Sequence, residues 1–143
     1  MLSKVSEDVI IQRLVEKLRG VGFEVYTHVV LDGMELDVVA FEYQRRRPVV
    51  YVYEVKSRAK SKLLKQISRR ADLVDYLYVV VPLNLYPWVL KKLESFVGLV
   101  LYMNSDIYIV RKACFLGRGE RLLQLLKGVG RVADGVVYGE GSG

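Results

Sequence analysis

Charge placed inside apolar strands is the feature that most restricts how this chain can fold. Two runs, MELDVVAFEY (34–43) and PVVYVYEVKS (48–57), have the β-branched and aromatic composition of strands, yet they carry Asp37, Glu54 and Lys56. A buried charge is costly unless it is paired or bound to a metal. The fold must therefore bring these groups together. A hairpin centred between Arg45 and Arg46 does so, because it sets Asp37 opposite Glu54 and Glu35 opposite Lys56. Opposed residues share a sheet face, with Cβ atoms roughly 4.5–5.5 Å apart. Two facing carboxylates repel in isolation, and a divalent cation between them removes that penalty.

The neighbouring segments frame this hairpin. Ser6 is placed to cap a helix over 7–19, with Glu7 and Asp8 in its first turn and Ile11, Leu14 and Leu18 as its apolar stripe. Glu7 lies on that same stripe, either turned toward the sheet or simply compensating the helix dipole. Residues 23–31 read as a strand, closed by the hairpin turn Asp32-Gly33. A basic helix is expected over 59–72, with Leu63, Leu64, Ile67 and Ala71 buried. YLYVVVP (76–82) has the apolar character of a central strand. A helix over 85–96, strands at 99–103 and 107–112 and a helix over 121–127 complete the order. The expected fold is α/β, a mixed central β-sheet flanked by helices on both faces. One domain spans 1–130, and the Gly-rich segment 131–143 is expected to be a flexible tail.

Net charge is +6 and is uneven: ten of the basic residues fall between Arg45 and Arg70, a window whose one acid is Glu54. Such a block suits a polyanion, although a solvated helix face and a charged hairpin tip guarding a sheet edge would have the same composition. A single cysteine, Cys114, excludes an internal disulfide or a thiolate cluster. No apolar run reaches the about 18 residues of a membrane span. The first residues lack a signal-peptide core, so an intracellular, cytoplasmic location is expected. His28 reads as a strand residue, and no Ser-His-Asp or Cys-His constellation is visible. Hard oxygen ligands without His or Cys favour Mg²⁺, Mn²⁺ or Ca²⁺ over zinc.

Asp37, the Glu54-Val55-Lys56 triplet at the end of the next strand, the basic helix and the apolar strand after it resemble the PD-(D/E)XK nuclease superfamily, of restriction-endonuclease-like fold. The resemblance covers about residues 6–82. It implies that Asp37 and Glu54, with the Val55 backbone carbonyl, ligate Mg²⁺ or Mn²⁺. It further implies that Glu7 serves as the helix-borne acid, either as a metal ligand through water or to orient Lys56, and that Lys56 positions the attacking water or stabilises transition-state charge. Lys60, Lys62, Lys65, Gln66, Arg69 and Arg70 would contact DNA. Gln66 matches a glutamine found in RecB-like members, which often carry Tyr where this chain has Arg70. The residue before Asp37 is Leu36 rather than Pro. Short archaeal Holliday junction resolvases share the size and the order of elements, and few Asn and Gln with many Val, Tyr and Arg point toward a thermophile. Many members dimerise to cut two strands, so a homodimer is an expected partner arrangement. The expected activity is a metal-dependent DNA endonuclease. The alternatives are a non-catalytic nucleic-acid-binding module of the same fold, or an interaction subunit whose acids only pair with nearby bases.

Overall fold

A computed structural model describes residues 6–58, 60–129 and 137–139 of the chain. Helix α1 (Glu7–Gly20) begins at Ser6, whose hydroxyl accepts from the Asp8 amide at 3.2 Å. It buries Ile10, Ile11, Leu14 and Leu18, and the chain turns out of it through Gly22 at φ +98°. Strands β1 (Glu24–Leu31), β2 (Met34–Glu42) and β3 (Val49–Val55) form an antiparallel meander. Asp32 and Gly33, both at positive φ, make the tight turn between β1 and β2. Helix α2 (Ser61–Ser68) tightens into a 3-10 turn (Arg69–Leu73), and β4 (Tyr76–Pro82) follows. A short 3-10 turn (Leu83–Leu85) leads into α3 (Tyr86–Lys92), with Pro87 tolerated in its first turn. The hairpin β5 (Gly98–Met103) and β6 (Asp106–Arg111), then α4 (Glu120–Val129) and a three-residue β7 (Val137–Gly139), complete the described elements.

The fold is α/β. Its mixed sheet runs β6-β5-β4-β3-β2-β1-β7, with β3, β4 and β5 parallel at the centre. Helix α1 covers one face, packing on Val25, Val38, Ala40, Val55 and Val80. Helices α2, α3 and α4 cover the other, over Val39, Phe41, Val50, Val52, Val79 and Leu99. Burial on both faces accounts for strands with apolar residues at nearly every position.

Three expectations change. The basic helix is shorter than 59–72: its last turn winds as 3-10, which sends Arg70 inward while Arg69 stays exposed. Helix α3 likewise ends at Lys92, not 96. Within the expected flexible tail, Val137–Gly139 pair parallel to β1 at the sheet edge, and the rest of that tail lies outside the described residues.

A buried carboxylate paired with a partly exposed arginine fixes the end of the sheet that carries the β2–β3 tip. Asp75, fully buried, accepts two bonds from Arg47 at 2.8 and 2.9 Å, one from the Val50 amide at 2.8 Å and one from the Gly119 amide at 3.1 Å. A Cβ on Gly119 would lie 2.7 Å from both Asp75 Oδ2 and Val50 Cβ, so glycine is required for this approach.

Candidate functional site

The β2–β3 ladder pairs Glu42 with Val49 through to Val38 with Tyr53, which is the register expected from the sequence. One step further, Asp37 and Glu54 stand opposed, but there the strands part. β2 continues along β1, pairing Glu35 with Val30, while β3 continues along β4, where the Lys56 amide donates to Val80 O at 3.0 Å. The two carboxylates fill the gap. Glu54 Oε2 accepts the Asp37 amide at 2.9 Å, and Asp37 Oδ2 accepts the Val55 amide at 2.8 Å. Each acid is thus anchored by the backbone of the other's strand, which satisfies N–H groups that the diverging ladder would leave open.

Glu54 is 1% exposed, whereas Asp37 is half-buried. Glu54 Oε1 lies against Arg70 Nε, and the same guanidinium donates to Gln66 O at 2.8 Å and to Glu35 O at 3.1 Å. Burial, then the neighbouring Asp37 charge, pushes the Glu54 carboxyl up to about 8, against the opposing pull of Arg70. Burial also raises Asp37 above the ordinary carboxylate range, with the Val55 amide and the Lys56 ammonium acting in the opposite sense. Both acids therefore hold protons more tightly than free carboxylates, the behaviour of desolvated like charges set side by side.

Lys56 lies one residue past β3, half-buried, and makes no ion pair among the described residues. It lines a surface depression with Glu7, Asp8, Arg58 and Lys60. Glu7 turns toward the sheet and reaches the segment just past β3. Its Oε2 accepts the Ser57 amide at 2.8 Å and the Ser57 hydroxyl at 3.1 Å. It does not join Asp37 and Glu54: among the described residues, no three His, Cys, Asp or Glu side chains form a group that could hold a metal. The resemblance implies a ligand through water or a residue orienting Lys56, and here the Glu7 carboxylate braces the segment after Lys56 through Ser57. Glu35 does not meet Lys56 either, because the strands have parted by that point. It lies 2.7 Å from His28 Nδ1, across β1.

The basic residues divide into two groups. Lys60, Lys62, Lys65 and Arg69 are exposed on and beside α2, as is the uncharged Gln66. Arg70 is not an exposed phosphate contact as expected, since it is committed to Glu54. Arg45, Arg46 and Arg47 sit at the far end of β3, about seven residues or roughly 23 Å from Glu54, and so do not surround the acids. The sequence reading missed two partners, Arg70 on Glu54 and Ser57 on Glu7. Neither contact has a local spacing signal, because each joins elements distant in the chain.

The donor set suits a hard cation. Mg²⁺ keeps several waters and is held by one or two protein carboxylates, and Asp37 and Glu54 supply two, with no thiolate or imidazole beside them. Glu54 would have to release Arg70 to contribute both oxygens.

No protein-family model matches the sequence, and no curated relative does either. The structure is similar to that of SPO1766, a protein of unknown function from Silicibacter pomeroyi, with a TM-score of 0.56 and 23% identity over 85% of this chain and 92% of that one. A likeness at that identity is one of fold alone.

Proposed function

We propose that this chain is a divalent-metal-dependent nuclease that hydrolyses DNA phosphodiester bonds, acting as an endonuclease on duplex or branched DNA. The observation that carries the reading is the Asp37–Glu54 pair at the fork between β2 and β3. Two desolvated carboxylates with raised pKa values stand side by side, and a functional site is where such a costly arrangement is most often kept. Asp37 and Glu54, with the Val55 carbonyl, are the residues to hold Mg²⁺ or Mn²⁺. When bound, such an ion polarises a phosphoryl oxygen and lowers the pKa of water. Lys56, without an ion pair among the described residues and lining the depression beside Glu7, is available to an oxyanion as negative charge develops there. Lys62, Lys65 and Arg69 on the exposed side of α2 are available to flanking phosphates. Glu7 holds the Ser57 backbone and so fixes the segment that presents Lys56.

One observation favours a second reading, a non-catalytic nucleic-acid-binding module. Glu54 already has a counter-ion in Arg70, which offsets its charge without a metal. Incubation of supercoiled, linear, single-stranded and branched DNA with Mg²⁺, Mn²⁺ or EDTA separates the two. Metal-dependent cutting, lost in Lys56→Ala while DNA binding is kept, supports the nuclease. Binding without cutting under every metal supports the module.

A further inference from the structure

At the opposite end of the sheet, the β2–β3 tip and the loop after β6 enclose a groove lined by Gln44, Arg45, Arg46, Arg47, Tyr76 and Phe115. We propose that this groove binds single-stranded nucleic acid, with a base stacked on Phe115 and phosphates held by Arg45 and Arg46. The Phe115 ring is 60% exposed, yet its backbone is fixed. The Cys114 amide donates to Phe96 O at 3.0 Å, and the Leu116 amide to Asp75 O at 2.7 Å. The ring extends an aromatic row: Phe115 and Tyr76 have centroids 5.4 Å apart, and Tyr76 stacks on Tyr51 at 4.9 Å. A large exposed aromatic ring on a hydrogen-bonded stretch of backbone is a stacking surface for a flat partner.

The arginines beside it are divided by role. Arg47 is held by buried Asp75, which fixes the tip. Arg45 and Arg46 are exposed and form no ion pair among the described residues, and the groove lining holds no acid. Guarding a sheet edge does not account for them, because β2 and β3 are interior strands. Two guanidiniums without an ion pair among the described residues, in one groove with an exposed ring, match a ligand that carries both phosphates and unpaired bases. A duplex keeps its base faces stacked internally and an acidic peptide offers no flat face, so a single strand fits best. This binding does not depend on phosphodiester cleavage.

The test is anisotropy of a fluorescent oligothymidylate with the full chain in EDTA, where no metal-dependent cutting occurs. Phe115→Ala is expected to weaken binding about tenfold, with Phe115→Trp retaining it. The double variant Arg45→Ala/Arg46→Ala is expected to flatten the slope of log affinity against log salt by about 1.4, from two phosphates. An affinity unchanged by Phe115→Ala together with a slope unchanged in the double variant overturns the proposal. So does tighter competition by a polyglutamate peptide than by unlabelled oligothymidylate, which would mark an acidic protein surface as the ligand.

Discussion

Arg70 Nε lies against Glu54 Oε1, so a carboxylate that is 1% exposed receives its counter-ion from the 3-10 turn after α2. Removing one partner of a buried pair leaves the other uncompensated, at a cost of about 3–5 kcal/mol. Arg70→Ala is expected to lose stability on that scale in urea titrations above pH 8, where Glu54 is charged, and less at pH 6, where its proton is retained. Mg²⁺ should restore more stability to this variant than it adds to the native chain. Equal Mg²⁺ effects on both would show that Glu54 does not meet the ion.

The same acid sets a pH dependence. Its folded value is raised from 4.5 to about 8, so between those values the folded state binds more protons than the unfolded state. Without metal, the stability this group contributes is present in full below about pH 4.5 and is lost as pH rises through about 8. Divalent metal competes with the same proton, so Mg²⁺ affinity is expected to rise over that interval. Glu54→Gln should flatten the stability profile between those limits, as read by thermal melts across pH. A native-like profile in Glu54→Gln would assign the dependence to other groups.

At the far end of the sheet, Gly119→Ala is expected to destabilise by about 1–3 kcal/mol, because its Cβ would press on buried backbone-linked groups. Asp75→Ala should cost more, about 3–5 kcal/mol, by leaving the buried Val50 and Gly119 amides without an acceptor and removing the charge that holds Arg47. Chemical denaturation of both variants checks the order, and a milder effect for Asp75→Ala would contradict the hub assigned to it.

The exposed face of α2 gives a separate expectation. Replacing Lys62, Lys65 and Arg69 by alanine should reduce the duplex-DNA salt slope by about 0.9 for each phosphate no longer neutralised. Arg70→Ala should leave that slope unchanged, since its guanidinium is turned inward. A slope insensitive to the triple change would remove α2 from the DNA surface.

Much of this was legible in the chain itself. A hairpin centred between Arg45 and Arg46 and the two-residue period of strands set the β2–β3 register, and that register alone opposes Asp37 to Glu54. The Ser6 cap and the Ile11, Leu14 and Leu18 stripe likewise define α1. What stayed hidden depends on tertiary geometry. Helical periodicity across 59–72 does not reveal where α winding gives way to 3-10, so Arg70 read as a surface cation. Closeness in sequence placed Arg45–Arg47 with the acids, whereas the length of β3 carries them to the opposite end. The fork that separates Glu35 from Lys56 arises because β2 and β3 each take a different outer neighbour, and neither strand encodes that choice locally.

The central claim is that Asp37 and Glu54 hold a divalent ion that acts on DNA. Nicking of supercoiled plasmid, followed as Mg²⁺ is titrated into the native chain and into Asp37→Asn, tests it most directly. Saturable, EDTA-sensitive nicking by the native chain is expected, with its loss in Asp37→Asn while both proteins stay equally folded and equally bound to DNA. Nicking that persists in Asp37→Asn, or its absence from the native chain under both Mg²⁺ and Mn²⁺, would contradict the claim.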